Sequence, residues 1–182
     1  MPVGPMANFG IALGVLDGGR LEDVVIRRVA LNDVSAVPIF IRLASRADRI
    51  LPGVSSLRNV LIEDVTGTGQ SDIGCSITGL PDLRPSNITL RNVDLKMRNS
   101  ESPFVDPLPE IPKAFMHPGQ WRSVMPAYGF YLRHVDDVTF ENVIPASGGK
   151  GDRPKFRADD CQRFRNDAPA EMSARSNLSN VL

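Results

Sequence analysis

The sequence has no excess of charge of either sign. Lys plus Arg and Asp plus Glu both total 21, so the formal net charge is zero. A nucleic-acid-binding domain usually carries a clustered basic excess, and we therefore expect no nucleic-acid partner. Long apolar runs are missing as well: no stretch approaches the roughly 20 residues of a membrane-spanning helix, so we expect no membrane partner.

Cysteine is scarce. Cys75 and Cys161 are far apart, and neither has neighbours at metal-ligand spacing, so we expect no metal site. The two thiols do not settle the redox compartment. Residues 1–5 lack the basic region and apolar stretch of a signal peptide. The 182 residues are enough for one domain with a sizeable core.

A seven-residue motif recurs four times. It opens on Asp or Asn, alternates apolar and polar residues, and ends on Val, at residues 23–29, 59–65, 87–93 and 137–143. Alternation places every second side chain on one face, as in a half-buried strand, and Asx residues suit tight turns. The repeats are unevenly spaced, which predicts a fixed strand and a loop of variable length in each repeat.

A second apolar segment, also predicted to be a strand, goes with each motif, at residues 10–15, 38–43, 74–79 and 128–133. Parallel strands usually need helical crossovers, but no amphipathic helix lies between these segments. Stacked turns of a coil need no such helices. The pattern therefore predicts an all-β, right-handed parallel β-helix. Its inward-pointing side chains are expected to include Val24, Ile26, Val60, Ile62, Ile88, Leu90, Val138 and Phe140.

Three segments interrupt the repeats. Residues 44–54 are predicted to form a polar turn, residues 96–127 a proline-rich insertion, and residues 161–182 an irregular polar tail. The whole chain, 1–182, is thus predicted to be a single partial β-helix domain, with coils from about residue 8 to residue 160.

Several stretches resemble one family. They are residues 10–19 (GIALGVLDGG), 21–24 (LEDV), 37–43 (VPIFIRL), 76–81 (SITGLP) and 126–135 (PAYGFYLRHV). Together they resemble the C-terminal half of bacterial pectin-degrading glycoside hydrolases of family 28, the polygalacturonase and rhamnogalacturonase group. The resemblance implies a pectin-lyase-like β-helix without its N-terminal coils. It also implies a pectin-type polysaccharide or oligosaccharide substrate, no cofactor, and an extracellular or periplasmic location.

The resemblance also implies that the catalytic groups are absent. Family members share an Asn-Thr-Asp motif, an Asp-Asp pair, a Gly-His-Gly and an Arg-Ile-Lys, and their carboxylates perform inverting hydrolysis. The first three motifs would precede the Gly10 region and are not found in order. Ala12 and Gly14 occupy the positions of the basic pair. We therefore assign no catalytic residue and expect the chain alone to be inactive.

Two acidic pairs imitate the family's Asp-Asp motif. Asp159 and Asp160 follow the last clear repeat, where a turn or capping role is expected. The second pair is Asp136 and Asp137, and Asp137 is the Asx residue that opens the fourth motif. Neighbouring residues on one strand point to opposite faces, so a bare pair is weak evidence for catalysis.

Four residues are candidates for substrate binding: Arg42, Arg46, Tyr128 and Arg133. Arginine pairs bidentately with carboxylates such as those of uronic acids, and tyrosine can stack on a sugar ring. The alternative is that the arginines lie on a solvated outer face and the aromatic residues, including Tyr131 and Trp121, belong to the core. His117 and His134 have no metal partner at helical spacing.

Two functions remain open at this point. The chain is either the C-terminal part of a pectin-active glycoside hydrolase or a non-catalytic carbohydrate-binding or structural module. Lyases acting on pectin share the architecture and are a weaker enzyme alternative, since they usually rely on calcium and no Asp-rich ligand cluster is present. Without earlier turns Ile11 and Leu13 would end the stack unprotected. We therefore expect self-association or association with a separate N-terminal fragment, and a fold-back of residues 1–9 is the competing outcome.

Overall fold

The computed structural model describes residues 9–16, 18–45, 55–110 and 124–167. Within these ranges the chain is all-β, without a helix, and no segment qualifies as a helix able to cross a membrane. Its strands are β1 (Ile11–Leu16), β2 (Arg20–Val34), β3 (Ile39–Ala44), β4 (Ser56–Gly69), β5 (Cys75–Thr78), β6 (Ser86–Met97), β7 (Phe130–Ser147) and β8 (Phe156–Asp167).

All strand pairs are parallel and belong to one sheet. The order is β1-β3-β5-β7-β6-β4-β2, with β8 paired to β7, and the sheet nearly closes on itself. The long strand β7 makes this path possible, because its first part pairs with β5 and its later part with β6. The predicted all-β class and the parallel arrangement are confirmed.

The strands stack in five layers. The first contains β1 and β2, the second β3 and β4, the third β5 and β6, the fourth β7 and the fifth β8. The four repeated motifs pair in register: Val24 pairs with Val60, Val60 with Ile88, and Ile88 with Val138. The sequence repeat is therefore a stack of equivalent positions in space.

The Asx residues form the corners of the stack. Asp23, Asn59, Asn87 and Asp137 all have left-handed backbone, with φ between 53° and 58°. Asn and Asp tolerate this conformation better than other residues with a Cβ atom. Their side chains also link the layers, since Asn59 Nδ2 donates to Asp23 Oδ1 at 2.8 Å. The predicted turn role of these positions is confirmed.

The core lies between the inward faces of the strands. Of the eight residues predicted to point inward, six are fully buried, while Val24 and Ile26 are partly exposed and pack against the core. Val24 and Ile26 differ because the described residues place no layer above β2. At the fifth layer, aromatic rings extend the core: Phe140 contacts both Phe156 and Phe164.

The fifth layer is where structure and sequence analysis differ. Strand β8 continues to Asp167, seven residues into the segment predicted to be an irregular tail. The repeat was hidden because Arg163 occupies the left-handed corner position and Asn166 pairs with Phe140 at an inward position. Residues 1–8, Arg46, His117 and Trp121 lie outside the described residues.

Candidate functional site

One face of the stack carries polar residues in register. We call it the front face, and it consists of the side chains of β1, β3, β5, β7 and β8 that alternate with the core residues. One of its columns runs through Gly14, Arg42, Thr78, Arg133 and Asp159. The structure thus brings together two of the predicted binding residues, Arg42 and Arg133, with Thr78 between them.

Arg42 is buried on this face, with only 2 % of its surface exposed. Its Nη1 donates to Thr78 Oγ1 at 3.0 Å and to the carbonyl oxygen of Gly79 at 3.3 Å. Burial lowers the pKa of Arg42 to about 10, and nearby Arg133 acts in the same direction while Glu110 opposes it. The interpretation of Arg42 as a solvated surface residue is therefore wrong.

Arg133 anchors the end of the described part of the proline-rich insertion. Its guanidinium donates to the carbonyl oxygen of Leu108 and to the carboxylate of Glu110. Glu110 also lies 2.9 Å from Nε2 of His134, and Asp160 lies 2.6 Å from Nδ1 of the same ring. The insertion is thus attached to the front face through a cluster of charged groups.

Arg84 extends this cluster to the corner of the stack. Its Nη1 lies 2.7 Å from Asp160 and its Nε 2.9 Å from Asp136. The hydrogen bonds from His134 and then from Arg84 lower the pKa of Asp160. The Asp160 carboxylate is therefore a charged structural partner of Arg84 that also lies beside the His134 ring.

Asp159 and Asp160 have separate partners on the two sides of β8. The Tyr131 hydroxyl donates to Asp159 Oδ2 at 3.0 Å, and Arg157 Nε donates to Asp159 Oδ1 at 2.7 Å. Burial raises the pKa of Tyr131, so its hydroxyl remains a donor. The acidic pair lies inside a strand, with Asp160 at a left-handed corner, and each carboxylate forms an ion pair with an arginine, Asp159 with Arg157 and Asp160 with Arg84.

Tyr128 lies apart from this cluster. It belongs to the main hydrophobic core, and its hydroxyl donates to the carbonyl oxygen of Pro145 at 3.2 Å. Burial raises its pKa. The structure therefore places Tyr128 with the packing residues and Arg42 and Arg133 with the polar front face.

Sequence reasoning missed Thr78 on the front face and two residues of the charged cluster attached to it, Glu110 and Arg84. Thr78 occupies the same position in its strand as Arg42 and Arg133, and alignment of the second strands could have shown this. Glu110 lies in an irregular segment, so no periodic signal marked it. Arg84 precedes β6 and likewise lies outside the repeated motif, so no periodic signal marked it.

The column of Arg42, Thr78 and Arg133 contains guanidinium and hydroxyl groups, which are hydrogen-bond donors. Among the described residues, no three His, Cys, Asp or Glu side chains are grouped to hold a metal ion. In the first layer, Ala12 pairs with Phe40 and Gly14 pairs with Arg42. Ala12 and Gly14 are both small and exposed. A ligand lying across the first layer would approach the buried charge of Arg42 over these two small residues.

Comparison with known proteins identifies no relative: no family model, no curated protein and no solved structure matches this chain. The fold and the front face themselves define the class, an all-β repeat protein of parallel strands with a column of polar residues opposite its core.

Proposed function

We propose that this chain is a right-handed parallel β-helix of the pectin-active glycoside hydrolase group and that its front face binds galacturonan or rhamnogalacturonan. Two lines of support are independent of each other. The residues of the five stretches described above resemble this group, and the stacked parallel layers are compatible with such a fold. Stacked repeats provide the elongated surfaces to which linear polymers bind.

The observation that carries the proposal is the column formed by Arg42, Thr78 and Arg133. Neighbouring strands are about 4.8 Å apart, so the two arginines lie about 10 Å apart along the stack. Charge-assisted hydrogen bonds from guanidinium groups are well suited to the carboxylates of a polyuronate. The intervening Thr78 is buried, and its hydroxyl accepts a hydrogen bond from Arg42 and so holds that guanidinium in the column.

Binding is proposed without hydrolysis by this chain alone. A general acid needs a proton at neutral pH, but the pKa of Asp160 is lowered rather than raised. Asp159 and Glu110 are each bound to an arginine. Inverting hydrolysis requires two carboxyl groups on opposite sides of a sugar, and these carboxylates instead tie protein segments together.

A structural module is the second candidate. It is favoured by the same contacts, because Arg42 is buried and Arg133 already has protein partners. In that case the arginines would hold the insertion against the sheet and contact no polysaccharide. Binding measurements distinguish the two functions.

The test is affinity electrophoresis with polygalacturonate in the gel and with neutral galactan as the comparison. We expect retardation by polygalacturonate alone, weakened by added salt. Arg133→Gln should reduce the affinity about tenfold, as expected for loss of a charged hydrogen bond. Arg91→Gln is the matched control, because Arg91 carries the same charge on β6, where it pairs with Glu141.

Circular dichroism of both variants verifies that they remain folded. Absence of retardation by polygalacturonate, or equal weakening in the Arg133 and Arg91 variants, would favour the structural module over polysaccharide binding.

A further inference from the structure

Glu110 places a carboxylate of the proline-rich insertion on the arginine column of the front face. It accepts a hydrogen bond from Arg133 Nη2, and its Oε1 lies 2.9 Å from Nε2 of His134. Its charge also reaches Arg42, where burial lowers the pKa and the Glu110 carboxylate opposes that decrease. One carboxylate of the protein therefore acts on both arginines that are proposed to bind a polyuronate.

The two arginines of the column need an anion beside them. Arg42 is buried, and the side chain of Arg133 is only 14 % exposed. Charges that are largely removed from water destabilise a fold unless an opposite charge compensates them. Glu110 supplies this opposite charge in the free protein. The carboxylate of a bound ligand would supply the same charge, so a ligand can replace Glu110 like for like.

Glu110 is the more accessible partner of this ion pair. Its side chain is 48 % exposed, while that of Arg133 lies mostly within the protein. An ion pair with an exposed, flexible partner contributes little net free energy, because water and salt screen it. A carboxylate arriving from solvent therefore meets a partner of Arg133 that is displaced at small cost.

The insertion has other attachments that do not depend on Glu110. Leu108 is buried and packs in a small hydrophobic cluster with Tyr131. Asp106 forms an ion pair with Arg157 on β8 at 3.1 Å. These contacts fix the backbone of the insertion two and four residues before Glu110. The Glu110 side chain can therefore leave Arg133 while the insertion stays on the front face.

We propose that Glu110 is an internal competitor of the ligand: its carboxylate occupies Arg133 in the free protein, and a uronate carboxylate of the polysaccharide displaces it. This inference rests on the proposed function and adds the regulation of the same site. The contact is autoinhibitory, because binding exchanges one carboxylate for another at an arginine that is already paired. The affinity for the polymer is therefore lower than the arginine column alone would give.

Arginine labelling tests the occupation of Arg133 without any polysaccharide. Phenylglyoxal reacts with accessible guanidinium groups, and mass spectrometry gives the labelling rate at each arginine. Glu110→Gln should raise the labelling rate of Arg133 at least about threefold, because a neutral amide holds a guanidinium less strongly than a carboxylate does. Arg91 is the internal reference, since its ion pair with Glu141 is unchanged in the variant.

Affinity electrophoresis with polygalacturonate then tests the competition. Glu110→Gln should bind about tenfold more tightly than the wild type, because the ligand no longer displaces a charged partner. Glu101→Gln is the matched control: it removes the same charge from an exposed side chain of the same insertion and should bind as the wild type does. In an Arg133→Gln background, Glu110→Gln should change the affinity by less than about twofold, since the shared partner is gone. Circular dichroism verifies the fold of each variant.

Three results would overturn the competition. Unchanged labelling of Arg133 in Glu110→Gln would mean that Glu110 does not shield this arginine. Equal retardation of the wild type and of the Glu110 and Glu101 variants would mean that the front face binds the polymer without displacing Glu110. If labelling of Arg133 rises but polygalacturonate retards none of the proteins, the proposed polysaccharide binding itself fails, and Glu110 is a structural partner of Arg133.

Discussion

Asn87 Nδ2 donates to Asn59 Oδ1 at 2.9 Å, and both residues have left-handed backbone, with φ of 53° and 57°. The two residues are 28 positions apart in the sequence but occupy the same corner in adjacent layers. Asn serves both needs of this position, because it tolerates the left-handed conformation and its amide both donates and accepts. The repeated Asx of the sequence is therefore a column of linked corners.

Replacement of Asn59 by Ala should lower the free energy of unfolding by about 1–2 kcal/mol, the cost of a left-handed residue with a Cβ atom, with the lost hydrogen bonds adding to it. Glycine at position 59 adopts the left-handed backbone without strain, so Asn59→Gly loses only the side-chain hydrogen bonds. We therefore expect a smaller decrease in the free energy of unfolding. Urea unfolding of both variants measures the difference. Equal losses would show that the backbone conformation contributes little.

Replacement of Ile62 by Asp should cost about 4 kcal/mol or more, since the side chain is fully buried in the centre of the core and its carboxylate would have no partner. The control is Thr89→Asp, which lies on the outward face of the next layer, where a change of less than about 1 kcal/mol is expected. Thermal and urea unfolding provide the comparison. Similar destabilisation by both substitutions would contradict the inward assignment of Ile62.

The purified chain should not release reducing sugars from polygalacturonate or rhamnogalacturonan above background. Asp159 is bound by Tyr131 and Arg157, and Asp160 by His134 and Arg84, so neither carboxylate is placed as a general acid or base. A reducing-sugar assay measures this directly. Sustained turnover that is abolished by Asp159→Asn would show that the acidic pair is catalytic after all.

Stability should depend on pH through Asp160. Hydrogen bonds from His134 and Arg84 lower the pKa of Asp160 in the folded state. Its contribution is therefore present above the unfolded value of about 3.9 and is lost as pH falls through the lower folded value. Asp160→Asn should reduce the free energy of unfolding at pH 7 by at most about 1 kcal/mol, because the side chain is 56 % exposed.

Urea unfolding of the wild type and the Asp160→Asn variant, repeated from pH 7 to below about pH 3, measures this difference, which should shrink at low pH as Asp160 becomes neutral. Asp94→Asn, an exposed substitution on β6, serves as the control and should show little change across the series. A difference that grows toward low pH would contradict the assigned direction.

Local patterns in the sequence predicted the strands and their corners. Alternation around Ile62 and Ile88 determines which side chains enter the core, since a strand has a strict two-residue period. Asn59 and Asn87 mark the corners because few residue types adopt left-handed backbone. These properties depend on a few neighbouring residues, so they could be read without the structure.

Only the tertiary structure decided how the polar residues are used. The burial of Arg42 and the separation of Tyr128 from it depend on which segments cover each face of the sheet. The pairing of Arg133 with Glu110 joins a strand to an irregular insertion 23 positions away. The fifth layer escaped sequence analysis because Arg163 and Asn166 break the pattern while the backbone register of β7 still holds them in place. The sequence by itself determined the repeating backbone and its core, because those follow from local periodicity. The tertiary structure decided the front face, because its contacts join residues that are distant in the chain and share no period.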